Sequence, residues 1–256
     1  SREWLTPVPE HSPIFFFSLL EVKPKLTLTN MSSFTPVTIY YWPMFGRGGA
    51  TIRMLEHVGA PYNHVSDMPS LAAKCSAFGC TASDNFAPPL LIDGDEHISQ
   101  STAVAMYVGN KCGLNEGITN PAKAVQHLSD IVDLFELGVA GAKNKGGAAL
   151  KAYLEGDRLP KMLGNMERGI KGPFYFGDSP TYVDFYLCAN IDWLDFTLFD
   201  RLTAEKSVDH VLTSYSKMRG VVDGIRALDS YREYKGPLKT ALPHFCAKDE
   251  VFSEYK

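Results

Sequence analysis

The stretch NFAPPLLIDGDEHISQSTAVAMYV, residues 85–108, decides how this chain folds. "PLLI" reads as a buried strand, "DGDE" as a tight turn and "HIS" as a second short strand. "QSTAVAMYV" then reads as a helix that starts on a hydroxyl residue. Two prolines, Pro88 and Pro89, stand where the first strand should begin. Proline has no N–H to give a sheet ladder and is confined to strand starts, edges and bulges. Here it either terminates the preceding loop or serves as a backbone device, often through a cis bond. The local pattern leaves both readings open.

Towards the N-terminus, "PVTIYYW" (residues 36–42) is a β-branched and aromatic run, which predicts a strand. "PMFGRGG" is a turn. "ATIRMLEHVG" carries Ile52, Leu55 and Val58 at helical spacing and ends on Gly59, a C-cap signal. "APYNHVSD" reads as a second strand, and a strand–helix–strand unit implies parallel pairing. Residues 66–87 have a loop-like pattern. The order is βαβ then ββα, an α/β thioredoxin-like layout over residues 36–113.

After a linker at residues 113–121 the pattern becomes helical throughout. "AKAVQHLSDIVDLFELGVAGAKN", "AALKAYLEGDRLPKMLGNMERGI", "YVDFYLCANIDWLDFTLF" and "VDHVLTSYSKMRGVVDGIRAL" are separated by Gly, Pro and Asn punctuation. Residues 121–245 are therefore expected to form an all-α helical domain, followed by a tail at 246–256. Residues 1–35 read as an N-terminal extension. Its apolar run "IFFFSLL" is far short of the roughly 20 residues that span a bilayer, and its acidic residues weigh against a targeting peptide.

The chain has 256 residues, with 45% hydrophobic and 21% charged, an ordinary globular balance. The net charge of -4 gives no electrostatic case for nucleic acid or an anionic membrane. The five cysteines form no C-x-x-C, which argues against a disulfide framework, a zinc ribbon or a dithiol redox motif. Reduced thiols point to a cytoplasmic setting, and no metal site is expected.

Three blocks together resemble the cytosolic glutathione transferases. "YYWPMFGRGGATIRML" looks like the first strand and helix of the tyrosine-using classes such as sigma, pi and mu. "PLLIDGDEHISQS" is similar to the family's proline, Asp-Gly turn and Gln-Ser block. "GDSPTYVDFYL" (177–187) resembles the G-D-x-x-T-x-x-D motif that opens a core helix of the second domain. The resemblance implies a glutathione-binding domain followed by a helical one, glutathione as co-substrate, a small hydrophobic electrophile, a detoxification role and a homodimer.

The chemistry needs a thiolate near neutral pH, whereas a free thiol has a pKa of about 8.5. A hydroxyl donating to the sulfur favours the charged form. Tyr41 matches the family tyrosine; Tyr40 is its neighbour, and period two sends it to the opposite face. Arg47 matches the family arginine, which orders the active-site loop or assists the thiolate. The γ-glutamyl carboxylate is expected at the N-terminus of the helix opened by Ser101, where free N–H groups favour an anion. Ser101 and Gln100 match its contacts, and Ser101 also reads as an N-cap. By the resemblance Pro89 is the cis-proline and Pro88 the residue that pairs with the cysteinyl unit. A one-residue shift would make Pro88 the cis residue. Lacking an N–H, Pro88 loses one of two backbone contacts, nominally about 0.5–1.5 kcal/mol.

Phe45 stands where related sequences often carry a basic residue near the glycyl carboxylate. Lys74 either supplies that charge or is a solvated lysine. Asp130 and Asp133 lie on the first helix of the second domain: either one of them is the aspartate that, by the resemblance, reaches the partner subunit's glutathione, or both belong to a solvated face. Trp42, Phe45 and Tyr107 are expected to line the electrophile site. Thr181 and Asp184 have capping-box spacing, a structural role. A non-catalytic structural or ligand-binding protein, like the lens crystallins derived from this family, is the competing reading. The missing cysteines disfavour a dithiol oxidoreductase.

Overall fold

A four-stranded mixed sheet organises the first half of the chain. The computed structural model describes residues 34–43, 46–194 and 211–232. Phe45, Cys246, most of the N-terminal extension and the whole C-terminal tail lie outside the described residues. Strand β1 (Val37–Tyr40) pairs in parallel with β2 (Tyr62–Val65) and antiparallel with β3 (Leu90–Asp93), which pairs antiparallel with β4 (Glu96–Ser99). The strand order is β2-β1-β3-β4. Period two buries Val37 and Ile39 completely, and Tyr41 shares their face.

Helix α1 (Gly49–His57) crosses between the parallel strands and buries Ile52, Met54 and Leu55. Beyond it Gly59 takes φ +69°, the left-handed conformation that a helix-ending glycine supplies without strain. The segment that looked like loop contains a short helix, α2 (Met68–Ala72), and a 3₁₀ turn at Ser76–Phe78. The signal was present but brief: the Asp67 carboxylate accepts the Ser70 N–H at 2.9 Å, with Pro69 in the first turn. Helix α3 (Ser101–Lys111) completes the domain.

Helices make up most of the second half's described residues, with one isolated bridge between Phe174 and Gly177. Asn120 caps α4 (Pro121–Val132), accepting the Ala122 N–H at 3.0 Å. The helix continues into a π-helical stretch, Asp133–Ala140, and then α5 (Gly141–Asn144). The next expected helix is two: α6 (Gly147–Leu154) and α7 (Arg158–Gly169), parted around Gly156. Helix α8 (Tyr182–Leu194) packs on α1, α3, α4 and α9 (Ser216–Arg226), and α10 (Asp229–Arg232) packs on α1. A helix apolar on every side must be buried on every side. Tyr182, Val183, Phe185, Tyr186, Leu187 and Cys188 are at most 1% exposed.

The start of α8 is secured from within. The buried Asp184 carboxylate accepts the Thr181 N–H and Oγ–H, both at 2.7 Å, and the Tyr175 N–H at 2.8 Å. This is half of the expected capping box. Asp184 reaches back to Thr181, but the Thr181 hydroxyl donates to Asp184 instead of capping a helix N–H. Among the described residues no helix is long and apolar enough to cross a membrane.

Candidate active site

Strand register brings the candidate residues together. Tyr40 pairs with Leu90, and Leu90 with Ser99. The next positions outward on the three strands are Tyr41, Pro89 and Gln100, so residues far apart in sequence meet at one end of the sheet.

Tyr41 is 2% exposed. Its hydroxyl oxygen accepts the Arg47 backbone N–H at 2.6 Å. The turn wraps closely around the phenol: a Cβ added at Gly48 would lie 2.6 Å from the Tyr41 ring. Burial raises the phenol's pKa, with the Arg47 N–H and guanidinium opposing. Tyr41 is thus an un-ionised hydroxyl with one lone pair engaged. Among the described residues no acceptor takes its proton. His64 on β2 steadies the same point, its Nε2 lying 3.1 Å from the Tyr41 carbonyl. Burial lowers the His64 pKa, so the neutral ring donates this bond.

Arg47 links the two halves of the protein. Its Nε lies 2.7 Å from Glu136 Oε1 in the π-helical stretch. Burial raises the Glu136 carboxyl's pKa, and the Arg47 charge beside it pulls it back down.

The Pro88–Pro89 peptide bond is cis, and both residues are buried. Pro89 is therefore the cis residue, and the one-residue shift to Pro88 does not occur. Gln100 precedes α3 with φ +71° and ψ +121°, a conformation non-glycine residues rarely hold and one that clusters at ligand sites. Gln100 occupies the N-cap position, and its side chain makes no capping bond. The expectation that Ser101 caps the helix is thereby corrected. Ser101 is the first helical residue, 2% exposed, and its Oγ lies 2.9 Å from the Tyr186 hydroxyl of α8. The α3 N-terminus and the helical domain meet at this hydroxyl pair.

The other candidates divide. Lys74 follows α2, half-buried, with no partner for its ammonium among the described residues. Trp42 packs edge-on against Phe78, ring centroids 5.6 Å apart. Tyr107 does not join the cluster. Its hydroxyl donates to Asp93 at 2.9 Å, beside the Lys111–Asp93 ion pair. Asp93 is the last residue of β3, next to the β4 turn and at the opposite end of the sheet from Tyr41. The expectation that Tyr107 lines the electrophile site beside Trp42 is thereby corrected: its hydroxyl is held at the other end of the sheet. Asp130 faces α7: Asn165 donates to it at 3.5 Å, and it lines a surface cleft of about 480 Å³ with Arg158 and Lys161. Asp133 is exposed.

Three residues that sequence reasoning missed belong to the site: His64, Glu136 and Tyr186. Glu136 was the most legible, as the one charge in the otherwise apolar "LFELGVAGA". Among the described residues no group of three or more His, Cys, Asp or Glu is placed to hold a metal ion.

Comparisons with known proteins fit this architecture. Residues 132–235 match the family model described as the glutathione S-transferase C-terminal domain. Comparison with curated protein sequences finds no match. Among solved structures, prostaglandin synthase D of Nilaparvata lugens is 18% identical and has a TM-score of 0.58, covering 79% of this chain and 100% of its own. A Pi-class glutathione S-transferase of Onchocerca volvulus is 17% identical with a TM-score of 0.58, covering 78% of this chain and 92% of its own. A poplar glutathione transferase F1 mutant is 19% identical with a TM-score of 0.58, covering 78% of this chain and 96% of its own. At such identities the likeness is one of fold: the chain has the glutathione transferase fold, a thioredoxin-like domain followed by an all-helical one, and its residues 132–235 match that family's C-terminal domain.

Proposed function

We propose that this chain is a glutathione transferase of the tyrosine-using type. The observation that carries the reading is the meeting of Tyr41, the cis Pro88–Pro89 bond and the α3 N-terminus at one sheet end. Glutathione lies along that end. Its γ-glutamyl carboxylate meets the free N–H groups of α3 beside Gln100 and Ser101. Its cysteinyl unit pairs with the Pro88 carbonyl, and its glycyl carboxylate is met by Lys74. Tyr41 donates its proton as a hydrogen bond to the sulfur and lowers the thiol pKa. The Arg47 charge acts in the same direction. The thiol gives its proton to water; the thiolate attacks an electrophilic carbon, the S–C bond forms and the leaving group departs with its electron pair. Trp42 flanks the electrophile. The proposed enzyme is cytoplasmic and a homodimer, and acts in detoxification.

The test is steady-state conjugation of glutathione to a generic aromatic electrophile, wild type against Tyr41→Phe. Removing a hydrogen bond to a charged sulfur costs about 1.5–3 kcal/mol, so a roughly 10- to 100-fold loss is expected at neutral pH. Equal rates for both proteins, each near background, would reject the catalytic reading in favour of a structural or ligand-carrying role. Sedimentation of the purified chain tests the dimer.

A further inference from the structure

We infer that Glu136 is a positioning residue: a carboxylate of the helical domain that, through Arg47, fixes the turn holding the Tyr41 phenol. The catalytic consequence rests on the transferase reading; the positioning does not.

The turn of residues 46–48 touches the phenol twice, through the Arg47 N–H on its oxygen at 2.6 Å and through Gly48 beneath its ring. A backbone donor 2.6 Å away fixes where the hydroxyl oxygen sits and so where its remaining proton points. The Arg47 side chain, partly exposed, is held at 2.7 Å by Glu136. Glu136 comes from a π-helical stretch, Asp133–Ala140, an irregularity frequent at functional sites. The stretch is kept close to its neighbours at Gly138, where an added Cβ would run into the Tyr153 hydroxyl. The groups coupled electrostatically to Glu136 are Arg47 from the turn, Tyr41 just past β1 and Tyr186 from α8. The ion pair therefore joins the second domain to the catalytic hydroxyl of the first.

Two roles for Glu136 predict opposite outcomes. If it only neutralises Arg47, removing its charge leaves the guanidinium free to stabilise a thiolate, and the thiol pKa falls. If it positions the turn, removing it loosens the phenol's hydrogen bond, and the thiol pKa rises.

The first measurement needs no ligand. With 3-fluorotyrosine at position 41, the fluorine resonance of the free protein is compared among wild type, Glu136→Gln and the reversed pair Arg47→Glu with Glu136→Arg. The expected result is a shifted or broadened signal in Glu136→Gln and a return towards wild type in the reversed pair. An unchanged signal in Glu136→Gln overturns the inference. Should that variant fail to fold, the reversed pair decides, and a folded reversed pair without the wild-type signal also overturns it. The second measurement is the pH profile of kcat/KM for glutathione. Glu136→Gln is expected to raise the apparent thiol pKa by about one unit, a tenfold loss of thiolate below it; a fall overturns the positioning role. A wild type without conjugating activity rejects the transferase reading alone, because the fluorine comparison still decides the role of Glu136.

Discussion

Replacing Asp184 with alanine should destabilise the protein more than any catalytic substitution would. The carboxylate accepts three hydrogen bonds, from the Thr181 N–H, the Thr181 hydroxyl and the Tyr175 N–H. Thr181, Tyr175 and Asp184 are all 0% exposed, so water cannot replace the lost acceptor. Each stranded buried donor costs about 1–3 kcal/mol. The three share one site and are not additive, and the variant also escapes the cost of burying a charge. The expected loss is about 3–5 kcal/mol for Asp184→Ala. Asn keeps an acceptor oxygen but turns an amide N–H₂ towards the Thr181 donors, and the expected loss is about 2 kcal/mol.

A second signature accompanies the loss. Burial pushes the Asp184 carboxyl up to about 6, above its ordinary 3.8, with the three hydrogen bonds opposing. A carboxyl raised in the folded state contributes stability that is full below 3.8 and is lost as pH rises through about 6. The gap between wild type and Asp184→Asn should therefore widen as pH falls from 7 to 5, by about 1 kcal/mol. Urea unfolding followed by circular dichroism at both pH values measures both effects. A loss below about 1 kcal/mol for Asp184→Ala, or a gap that narrows on acidification, would refute the reasoning.

Gly109 lies within α3, where alanine would ordinarily stabilise by about 1 kcal/mol. An added Cβ there runs into the Tyr182 side chain, so Gly109→Ala should lower the melting temperature; a rise would show that α3 and α8 do not meet as described. Pro88→Ala restores a backbone N–H beside the proposed cysteinyl contact and should tighten glutathione binding by up to about 0.5–1.5 kcal/mol in calorimetry. Unchanged or weaker binding would remove that pairing. Burial lowers the pKa values of His57, His64 and His127 below the ordinary 6.5. Proton NMR should find these rings neutral at pH 6.5, and their contribution to stability should be complete above 6.5 and lost as pH falls below it. Titration of all three at or above 6.5 would contradict their burial.

Local patterns carried much of this protein in its sequence. Alternation in Val37–Tyr41 fixed which tyrosine faces inward, because strand side chains alternate whatever the partner strand is. Gly59 announced the end of α1, because a left-handed residue is cheap only for glycine. Pro88 and Pro89 marked an unusual backbone, and the cis bond fell at the position the family resemblance assigned to it. The change from strand to helical periodicity near residue 120 falls where α4 begins, at Pro121. Each of these signals is set by neighbours within a few positions.

Tertiary structure decided the rest. The sequence offered Tyr107 as an aromatic for the electrophile site, but only strand register places Asp93, its partner, at the far end of the sheet. The Ser101 hydroxyl had obvious capping potential, yet the packing of α8 against α3 turned it to Tyr186. Arg47 and Glu136 are 89 positions apart, and no periodicity links them. Sequence by itself determined which residues can make strands, helices, turns and a hydroxyl-bearing strand end, because those follow from backbone sterics and short-range spacing. Which distant charges and hydroxyls meet across the domain boundary was decided only when both halves packed into one hydrophobic core. That packing is driven by apolar burial, which is non-directional and leaves no local mark of the polar contacts it creates.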